Sequence, residues 1–338
     1  MAILSPDVPP IRLLADFGPE RCGVVSQGEA RSYAVGFARA STENFVVLSR
    51  LLPEDLVEDF AAVYAFCRWA DDLGDERDPS LPADATAADV RSRAAALLGW
   101  FREELRATAG DEQRHPVLAA LAPTIERHRL PLEPFEDLIE AFEMDQRVAR
   151  YRTWNQLLGY CTKSANPVGR LVLMLAGLRS PEEDAASKDA WRQSDAICTA
   201  LQITNHIQDV RRDLLERDRV YLPLEDIGLA EADLHAGIER QNDHDLRVRY
   251  IRAVRPLVTR THELYDAGEG LPSRVGGRLG LLIGAMAQGG RETLREVERR
   301  GCATLWQRPV LPAWRKLLLV AGPIASLYCL PWRYRRPS

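Results

Sequence analysis

Apolar residues recur every three or four positions through most of the chain, as in the run Leu52, Leu56, Phe60 and Val63. This spacing places the apolar side chains on one face of an α-helix. The alternation of apolar and polar residues that is typical of half-buried strands is nearly absent. The pattern therefore predicts an all-α fold.

Prolines and polar clusters fall where such helices should begin or end. Pro53, Pro116 and Pro134 suit the first turn of a helix, where the missing N–H costs no hydrogen bond. The stretch 78–84 predicts a loop, and Ser180-Pro181 predicts the start of another helix. We expect about ten helices joined mostly by short loops.

No repeat of fixed period and no shift in composition marks a boundary inside the 338 residues. We therefore predict a single-domain helical bundle with a central cavity over residues 31–305. An N-terminal extension over 1–30 precedes it, and an apolar and basic tail over 306–338 follows it. With 46% hydrophobic residues, the chain can form a core large enough to enclose a deep pocket.

Composition excludes several classes of function. A net charge of -5 gives no general attraction to nucleic acid. The six cysteines are scattered without a C-x-x-C pair, and residues 1–10 lack the features of a secretory signal. Both observations indicate a reducing, cytoplasmic location. Because the histidines form no H-E-x-x-H motif, a bound metal ion would need oxygen ligands.

The tail contains an apolar run from Leu317 to Leu330 with basic residues on both sides. Pro323 breaks the run, which is shorter than the about 20 residues that span a bilayer. Two interpretations stay open. The tail either makes a peripheral contact with the membrane, its arginines meeting anionic head groups, or forms a helix packed on the body of the protein.

The segment 63–76 reads V-Y-A-F-C-R-W-A-D-D-L-G-D-E and ends an apolar helix with three aspartates. At about 3.6 residues per turn, Asp71 and Asp75 share one face, and Arg68 and Tyr64 continue the stripe towards the start of the helix. Because the end of a helix carries partial negative charge, aspartates gathered there favour a bound cation. The alternative is a solvent-exposed acidic helix end.

A second segment, 201–213, reads L-Q-I-T-N-H-I-Q-D-V-R-R-D and places Asn205, Asp209 and Asp213 on one face of a helix. Mg²⁺ prefers oxygen ligands, keeps several waters, and typically takes one or two carboxylates together with substrate phosphate. Two such ladders facing each other across a cleft would bind a diphosphate bridged by two or three Mg²⁺ ions.

Arginines near both ladders would bind phosphate oxygens. Arg68 lies about one turn before Asp71, and Arg219 follows the second ladder. Arg211 and Arg212 lie off the stripe of ligands, and charge balance with neighbouring acids is the stronger explanation for them.

These motifs, in this order and about 134 residues apart, resemble those of the squalene, dehydrosqualene and phytoene synthases. The resemblance runs from about residue 41 to Pro223, with a weaker match beyond. It implies an isoprenoid synthase fold and the Mg²⁺-dependent ionisation of an isoprenoid diphosphate. It also implies the metal ligands, which are Asp71, Asp75, Asn205, Asp209 and Asp213.

Other positions take their expected roles from the same resemblance. Arg68 matches an arginine that contacts the diphosphate, and Arg219 begins the R-V-Y-L-P segment that closes the site. Thr42 and Asn44 stand where relatives carry serines near a diphosphate. Tyr160 falls on a tyrosine thought to act near the carbocation, with a core tyrosine as the alternative.

Departures from the family pattern narrow the choice within the family. The segment 164–169 reads S-A-N-P-V-G in place of V-A-G-x-V-G, and Gln208 replaces an arginine in the diphosphate-binding motif. Together with Asn44-Phe45, they resemble the hydroxysqualene synthases of bacterial hopanoid pathways. Those enzymes convert presqualene diphosphate and water to hydroxysqualene without a nicotinamide cofactor, so no NADPH is expected.

Pro167 inside a helical run should kink the helix. The freed carbonyl and the Asn166 amide would then hold the water that ends the reaction, which makes Asn166 a catalytic candidate. A kink that serves only helix packing is the alternative. Tyr64, Phe66 and Met174 are candidates for the cavity wall, although core packing is the default role of such residues.

Two other functions stay open. Condensation of two farnesyl or two geranylgeranyl diphosphates would give presqualene diphosphate, squalene, dehydrosqualene or phytoene. A non-catalytic relative that serves as an assembly factor would have lost metal-binding aspartates, whereas both ladders are complete in this chain. The sequence leaves the substrate chain length and the oligomeric state open.

Overall fold

The computed structural model describes residues 4–20, 25–41, 52–109 and 115–311. These residues form α-helices, three short 3₁₀ segments and turns, and their one pairing of extended backbone is an isolated bridge between Arg150 and Val220. The all-α prediction is confirmed. Thr42, Asn44 and the tail from residue 312 onward lie outside the described residues.

The chain divides into two compact units, Met1–Arg147 with Arg170–Arg179, and Val148–Gly169 with Ser180–Ser338. The domain boundaries expected near residues 30 and 305 stay a prediction. The first unit contains α1 (Pro10–Phe17), α2 (Gln27–Ser41), α3 (Val57–Asp75), α4 (Ala87–Arg106), α5 (Pro116–His128) and α6 (Glu133–Arg147). The second contains α7 (Trp154–Ser164), α9 (Lys188–Arg217), α10 (Glu231–Glu239), α11 (His244–Ala267), α12 (Leu271–Val275) and α13 (Gly277–Arg299). Helix α8 (Asn166–Leu175) begins in the second unit and ends in the first.

Helix α3 is the central helix of the first unit and packs against α2, α4, α5 and α6. The ring of Phe66 stacks on Phe101 of α4 at 5.2 Å and meets Phe135 of α6 edge-on at 5.0 Å. Phe66 is 0% exposed, so it touches no space that a water could enter. Phe66 therefore belongs to the core and not to a cavity wall, because helical spacing alone does not show which neighbours a buried face meets.

His115 lies immediately before α5 in the aromatic core of the first unit. Its ring is 4.3 Å from Trp69 and 5.1 Å from Phe101, and the residue is 1% exposed. Neither ring nitrogen has a hydrogen-bond partner among the described residues. Burial lowers the pKa of His115 from 6.5 to about 3, because the imidazolium would lose its hydration.

Acidification should therefore destabilise the fold through His115. The unfolded chain binds a proton near pH 6.5 and the folded chain only near pH 3, so the neutral form stabilises the fold above pH 6.5. Between these values the free energy of unfolding should fall by ~1.4 kcal/mol per pH unit from this group. We expect His115→Leu to flatten that slope in urea titrations at several pH values within this range. Parallel pH dependences of the two proteins would contradict the assignment.

Helix α9 is the central helix of the second unit and packs against α7, α11, α12 and α13. Gly290 allows α13 to approach it closely. A β-carbon at this position would lie 2.3 Å from the side chain of Leu201 and 2.2 Å from the hydroxyl of Tyr265. This close approach packs α13 against α9 at Leu201, about one turn before Asn205.

Two sequence expectations about helix boundaries were wrong. Pro167 does not kink a continuous helix, because α7 ends at Ser164 and Ala165 leaves helical geometry with φ -124° and ψ -48°. Since proline lacks an N–H and restricts the residue before it, Pro167 takes a first-turn position in the new helix α8. The helix expected at Ser180 begins only at Lys188, because the side chain of Asp184 caps a separate 3₁₀ turn first.

Within the described ranges, no helix is both long and apolar enough to cross a bilayer.

Candidate active site

The first acidic cluster, formed by Arg68, Asp71, Asp72 and Asp75, lies at the C-terminal end of α3. The helix ends at Asp75, and the two predicted ligands Asp71 and Asp75 stand one turn apart on it, both half-buried. The helix that carries the predicted stripe is present, and the ligand roles of the stripe stay a prediction. Tyr64 continues it and is half-buried beside Ala38 and Ala61.

Helix α6 supports this end of α3. The side-chain amide of Gln146 donates a hydrogen bond of 2.8 Å to the carbonyl of Gly74, which is one of the carbonyls left free at the helix end. A β-carbon on Gly74 would lie 3.2 Å from Phe142, so the absence of a side chain lets α6 pack closely here. The aspartates are therefore carried by well-packed backbone.

Arg68 forms ion pairs with two aspartates of the cluster. Its Nη1 lies 2.6 Å from Asp71 Oδ2, and its Nη2 lies 2.7 Å from Asp72 Oδ1. Asp72, which the sequence analysis did not select, is the buried member of the cluster. Its position could have been found from the helical spacing, because it follows Ala65 and Trp69 on the buried face of α3.

The carboxylates of the first acidic cluster oppose one another's ionisation. Burial raises the pKa of Asp72 to about 6, Arg68 opposes this rise, and the charges of Asp71, Glu76 and Asp75 add to it. Carboxylates that are held together in this way at the negative end of a helix favour a bound cation.

The second acidic cluster, formed by Asn205, Asp209 and Asp213, lies on one face of α9. The three residues become less exposed to solvent towards the end of α9. Asn205 is exposed, Asp209 is half-buried and Asp213 is 8% exposed. After α9 the chain reverses at Asp218, whose backbone is left-handed with φ 51°. The N–H of Arg219 then donates to the carbonyl of Asp213 at 2.9 Å, which places the buried Arg219 beside the cluster.

Asp213 is the buried carboxyl group of this cluster. Burial raises its pKa to about 7, and the charge of Asp209 adds to the rise, while nearby arginines oppose it. The ionised form of Asp213 is therefore disfavoured in the folded chain unless a cation lies beside it.

A segment that follows α13 covers the second acidic cluster. Arg308 Nη2 lies 3.1 Å from Asp209 Oδ2, and its Nε contacts the other carboxylate oxygen. The side-chain amide of Gln208, which was expected to contact diphosphate, donates instead to the carbonyl of Pro309. Arg308 lies 99 residues after Asp209 and belongs to no recognisable motif, so the sequence alone does not point to it.

Tyr160 is buried in an aromatic cluster of the second unit. Its ring lies 5.2 Å from Tyr151, 5.3 Å from Tyr221 and 5.9 Å from His206. The Arg150–Val220 bridge holds Tyr151 and Tyr221 side by side, and the ring of His206 stacks on Tyr221 at 3.8 Å. His206 directly follows the predicted ligand Asn205, so α9 links the aromatic cluster to the second acidic cluster.

Asn166 is buried at the start of α8 and accepts a hydrogen bond of 2.9 Å from the Thr199 hydroxyl on α9. The two helices meet closely here, since a β-carbon on Gly169 would lie 2.4 Å from the Ser194 hydroxyl. The amide oxygen of Asn166 is thus oriented by Thr199. Met174, further along α8, is 9% exposed. Its role in a cavity wall stays a prediction.

The donor sets of both clusters suit Mg²⁺. Each offers carboxylate or amide oxygens, and each holds a carboxyl group whose pKa is raised by burial and neighbouring carboxylates. Within the part of the chain that is described, no three His, Cys, Asp or Glu side chains are grouped so that they could hold a metal ion by themselves. Mg²⁺ would therefore need ligands from water or from a substrate phosphate as well.

The family model described as squalene/phytoene synthase matches residues 38–315. The hydroxysqualene synthase of Rhodopseudomonas palustris is 31% identical over 76% of this chain and 80% of its own length. The hydroxysqualene synthase of Zymomonas mobilis is 35% identical over 57% of this chain, which spans 59% of that enzyme.

Among solved structures, squalene synthase HpnC from Alicyclobacillus acidocaldarius superimposes with a TM-score of 0.68. It is 38% identical, and the match covers 81% of this chain and 95% of that one. The fold, the order of the two acidic motifs and these relatives agree with the family that the sequence predicted. The chain belongs to the squalene/phytoene synthase family, a family of enzymes of isoprenoid biosynthesis.

Proposed function

We propose that this chain ionises presqualene diphosphate with the help of Mg²⁺ and captures the resulting cation with water, releasing hydroxysqualene and diphosphate. The observation that carries the ionisation step is the row of oxygen ligands on one face of α9, in which Asn205, Asp209 and Asp213 follow one another a turn apart. The similarity to two hydroxysqualene synthases supports the choice of substrate and product.

Each acidic cluster would hold Mg²⁺ through its own oxygens, which are those of Asp71 and Asp75 in the first cluster and of Asn205, Asp209 and Asp213 in the second. Bound Mg²⁺ acts as a Lewis acid that neutralises the diphosphate and makes it a better leaving group. Arg68, Arg219 and Arg308 are the guanidinium groups beside these carboxylates, and each can donate hydrogen bonds to phosphate oxygens. Thr42, Asn44 and Gln208 keep their proposed diphosphate contacts as predictions.

Ionisation breaks the bond between carbon and the bridging oxygen, and the electron pair leaves with the diphosphate. The remaining carbocation needs a wall that does not attack it. The faces of Tyr160, Tyr151 and Tyr221 carry negative electrostatic potential, which attracts a cation without supplying a nucleophile. A water then adds to the cation, forms the new carbon–oxygen bond and loses one proton to give the alcohol.

Asn166 is our candidate for holding that water. Thr199 occupies one acceptor site of its amide oxygen, which leaves a second lone pair and the amide N–H groups for a water. Replacing Asn166 by alanine should lower the ratio of alcohol to hydrocarbon products by roughly tenfold, which corresponds to the loss of about one hydrogen bond.

The Asn166→Ala measurement is the product ratio by mass spectrometry together with the rate of diphosphate release. Release should continue at a similar rate, because ionisation precedes water capture. Thr199→Val serves as the matched variant: it removes the donor that orients Asn166 and should produce a smaller change in the same direction. An unchanged product ratio in Asn166→Ala would show that another group directs the water.

The proposed function as a whole is tested by incubating the purified chain with Mg²⁺ and, separately, farnesyl, geranylgeranyl and presqualene diphosphates, each with and without NADPH. Hydroxysqualene from presqualene diphosphate without NADPH supports the proposal. The second candidate is head-to-head condensation, which the similarity to squalene synthase HpnC favours. Presqualene diphosphate, squalene, dehydrosqualene or phytoene formed from the shorter diphosphates would support that candidate instead.

A further inference from the structure

Helix α11 is strongly basic, although the whole chain has a net charge of -5. Between Leu246 and His262 it contains no aspartate or glutamate, and it contains five arginines, at positions 247, 249, 252, 255 and 260. Nothing in the proposed reaction uses these residues.

Two of the five arginines are held by neighbouring side chains. Arg249 forms an ion pair with Asp233 of α10, and the guanidinium of Arg247 lies 5.5 Å from the ring centre of Trp306. The charge of Arg249 is balanced by its carboxylate partner, whereas Arg247 keeps its charge over the ring of Trp306. Arg247 lies beside the face discussed below and is not needed for the proposal.

The other three arginines have no carboxylate partner among the described residues. Arg252 and Arg255 are exposed one turn apart, and Arg255 contacts the side chain of Cys302. The guanidinium of Arg260 lies 4.2 Å from the ring centre of Trp154, a contact that leaves its charge in place. This part of the helix therefore presents uncompensated positive charge to the solvent.

Apolar side chains lie between these arginines. A shallow open depression of about 680 Å³ lies on the solvent side of α11, and the residues described along it all belong to this helix. Its lining includes Val248 and Ile251, which are half-buried, and Pro256, which is exposed. The opposite face of the helix is buried in the second unit through Tyr250 and Val254. The solvent-facing side of α11 is thus held in place, because the other side of the helix is packed against the second unit.

We propose that this face of α11, defined by Val248, Ile251, Arg252, Arg255, Pro256 and Arg260, docks on the anionic phospholipid head groups of a membrane. Guanidinium groups bind phosphate oxygens, and each basic residue near an anionic leaflet adds attraction. The apolar side chains between the arginines meet glycerol and acyl carbons at the same depth. A nucleic acid would instead leave Val248 and Ile251 against charged phosphates, which are poor partners for apolar groups.

The test is co-sedimentation of the full chain with vesicles of phosphatidylcholine alone or with about one third phosphatidylglycerol, at about 0.1 M salt. We expect binding to the anionic vesicles. The double variant Arg252→Gln, Arg255→Gln should bind them about 30-fold more weakly, the effect of two surface arginines. Its thermal unfolding should match that of the parent, because neither side chain is buried.

A matched control removes two other exposed arginines from the same unit. Arg192 and Arg274 both pair with Asp189 and are exposed, so Arg192→Gln, Arg274→Gln changes the net charge equally. This control should bind like the parent. A third protein, Arg335→Gln, Arg336→Gln, tests the basic tail.

Four results would overturn the proposal. Three of them are a parent chain that does not bind anionic vesicles, an α11 variant that binds them as well as the parent, and a control that loses as much binding as the α11 variant. Loss of binding in the tail variant alone would assign the contact to the tail and also overturn it. Because vesicle binding is measured without substrate, these outcomes do not depend on the proposed reaction.

Discussion

Asp209→Asn should lower kcat/KM for the isoprenoid diphosphate by about 10²–10³-fold, and Asp71→Asn should lower it similarly. An asparagine keeps the shape of the side chain but removes the charge that a Mg²⁺ ion would balance. In the free protein, Asp209 is half-buried beside Asp213 and Arg308. Its loss would weaken metal binding and leave Arg308 without its carboxylate partner.

The measurement combines steady-state kinetics with calorimetric titration of Mg²⁺ in the presence of inorganic diphosphate. The value of kcat/KM and the affinity for Mg²⁺ should fall together in Asp209→Asn and in Asp71→Asn. Asp189→Asn is the matched control, since Asp189 lies on the same helix as Asp209 but is exposed and, within the described ranges, pairs with Arg192 and Arg274. Full activity in either cluster variant would remove that aspartate from the metal site.

Phe66→Ala should lower the free energy of unfolding by about 3–5 kcal/mol, because the cavity left behind cannot collapse fully. The ring is 0% exposed and contacts the rings of Phe101 and Phe135 on two other helices. Its removal therefore loosens three helices of the first unit at once.

Urea unfolding of parent and variant measures this effect. Phe60→Ala, on the same helix but at a half-buried position, should cost clearly less. The ratio of products formed by Phe66→Ala should equal that of the parent, because the side chain touches no cavity. A changed product ratio at normal stability would contradict the assignment of Phe66 to the core.

Helical periodicity was sufficient to predict the arrangement within each acidic cluster. If 63–75 is helical, Asp71 and Asp75 must lie one turn apart on one face. The same holds for Asp209 and Asp213 if 201–213 is helical. The same local rule explains why the all-α fold was predictable. It does not show which residues from distant segments come next to a given helix.

Arg308 and the Asn166–Thr199 contact illustrate that limit. The hydrogen bond between Thr199 and Asn166 joins residues 33 positions apart, and Arg308 reaches Asp209 across 99. Such contacts depend on how helices pack and not on spacing along one helix. Pro167 shows a related difficulty, because the sequence marks an interruption of the helix but does not distinguish a kink from a full break.

In the proposed reaction, water captures a carbocation that forms when the carbon–oxygen bond breaks. The most direct measurement is the reaction of presqualene diphosphate with Mg²⁺ and no NADPH in water labelled with heavy oxygen. We expect hydroxysqualene that carries one labelled oxygen, and unlabelled diphosphate. Heavy oxygen in the released phosphate, together with an alcohol that keeps the carbon skeleton of the substrate, would show that water attacked phosphorus. That result would contradict the proposed ionisation.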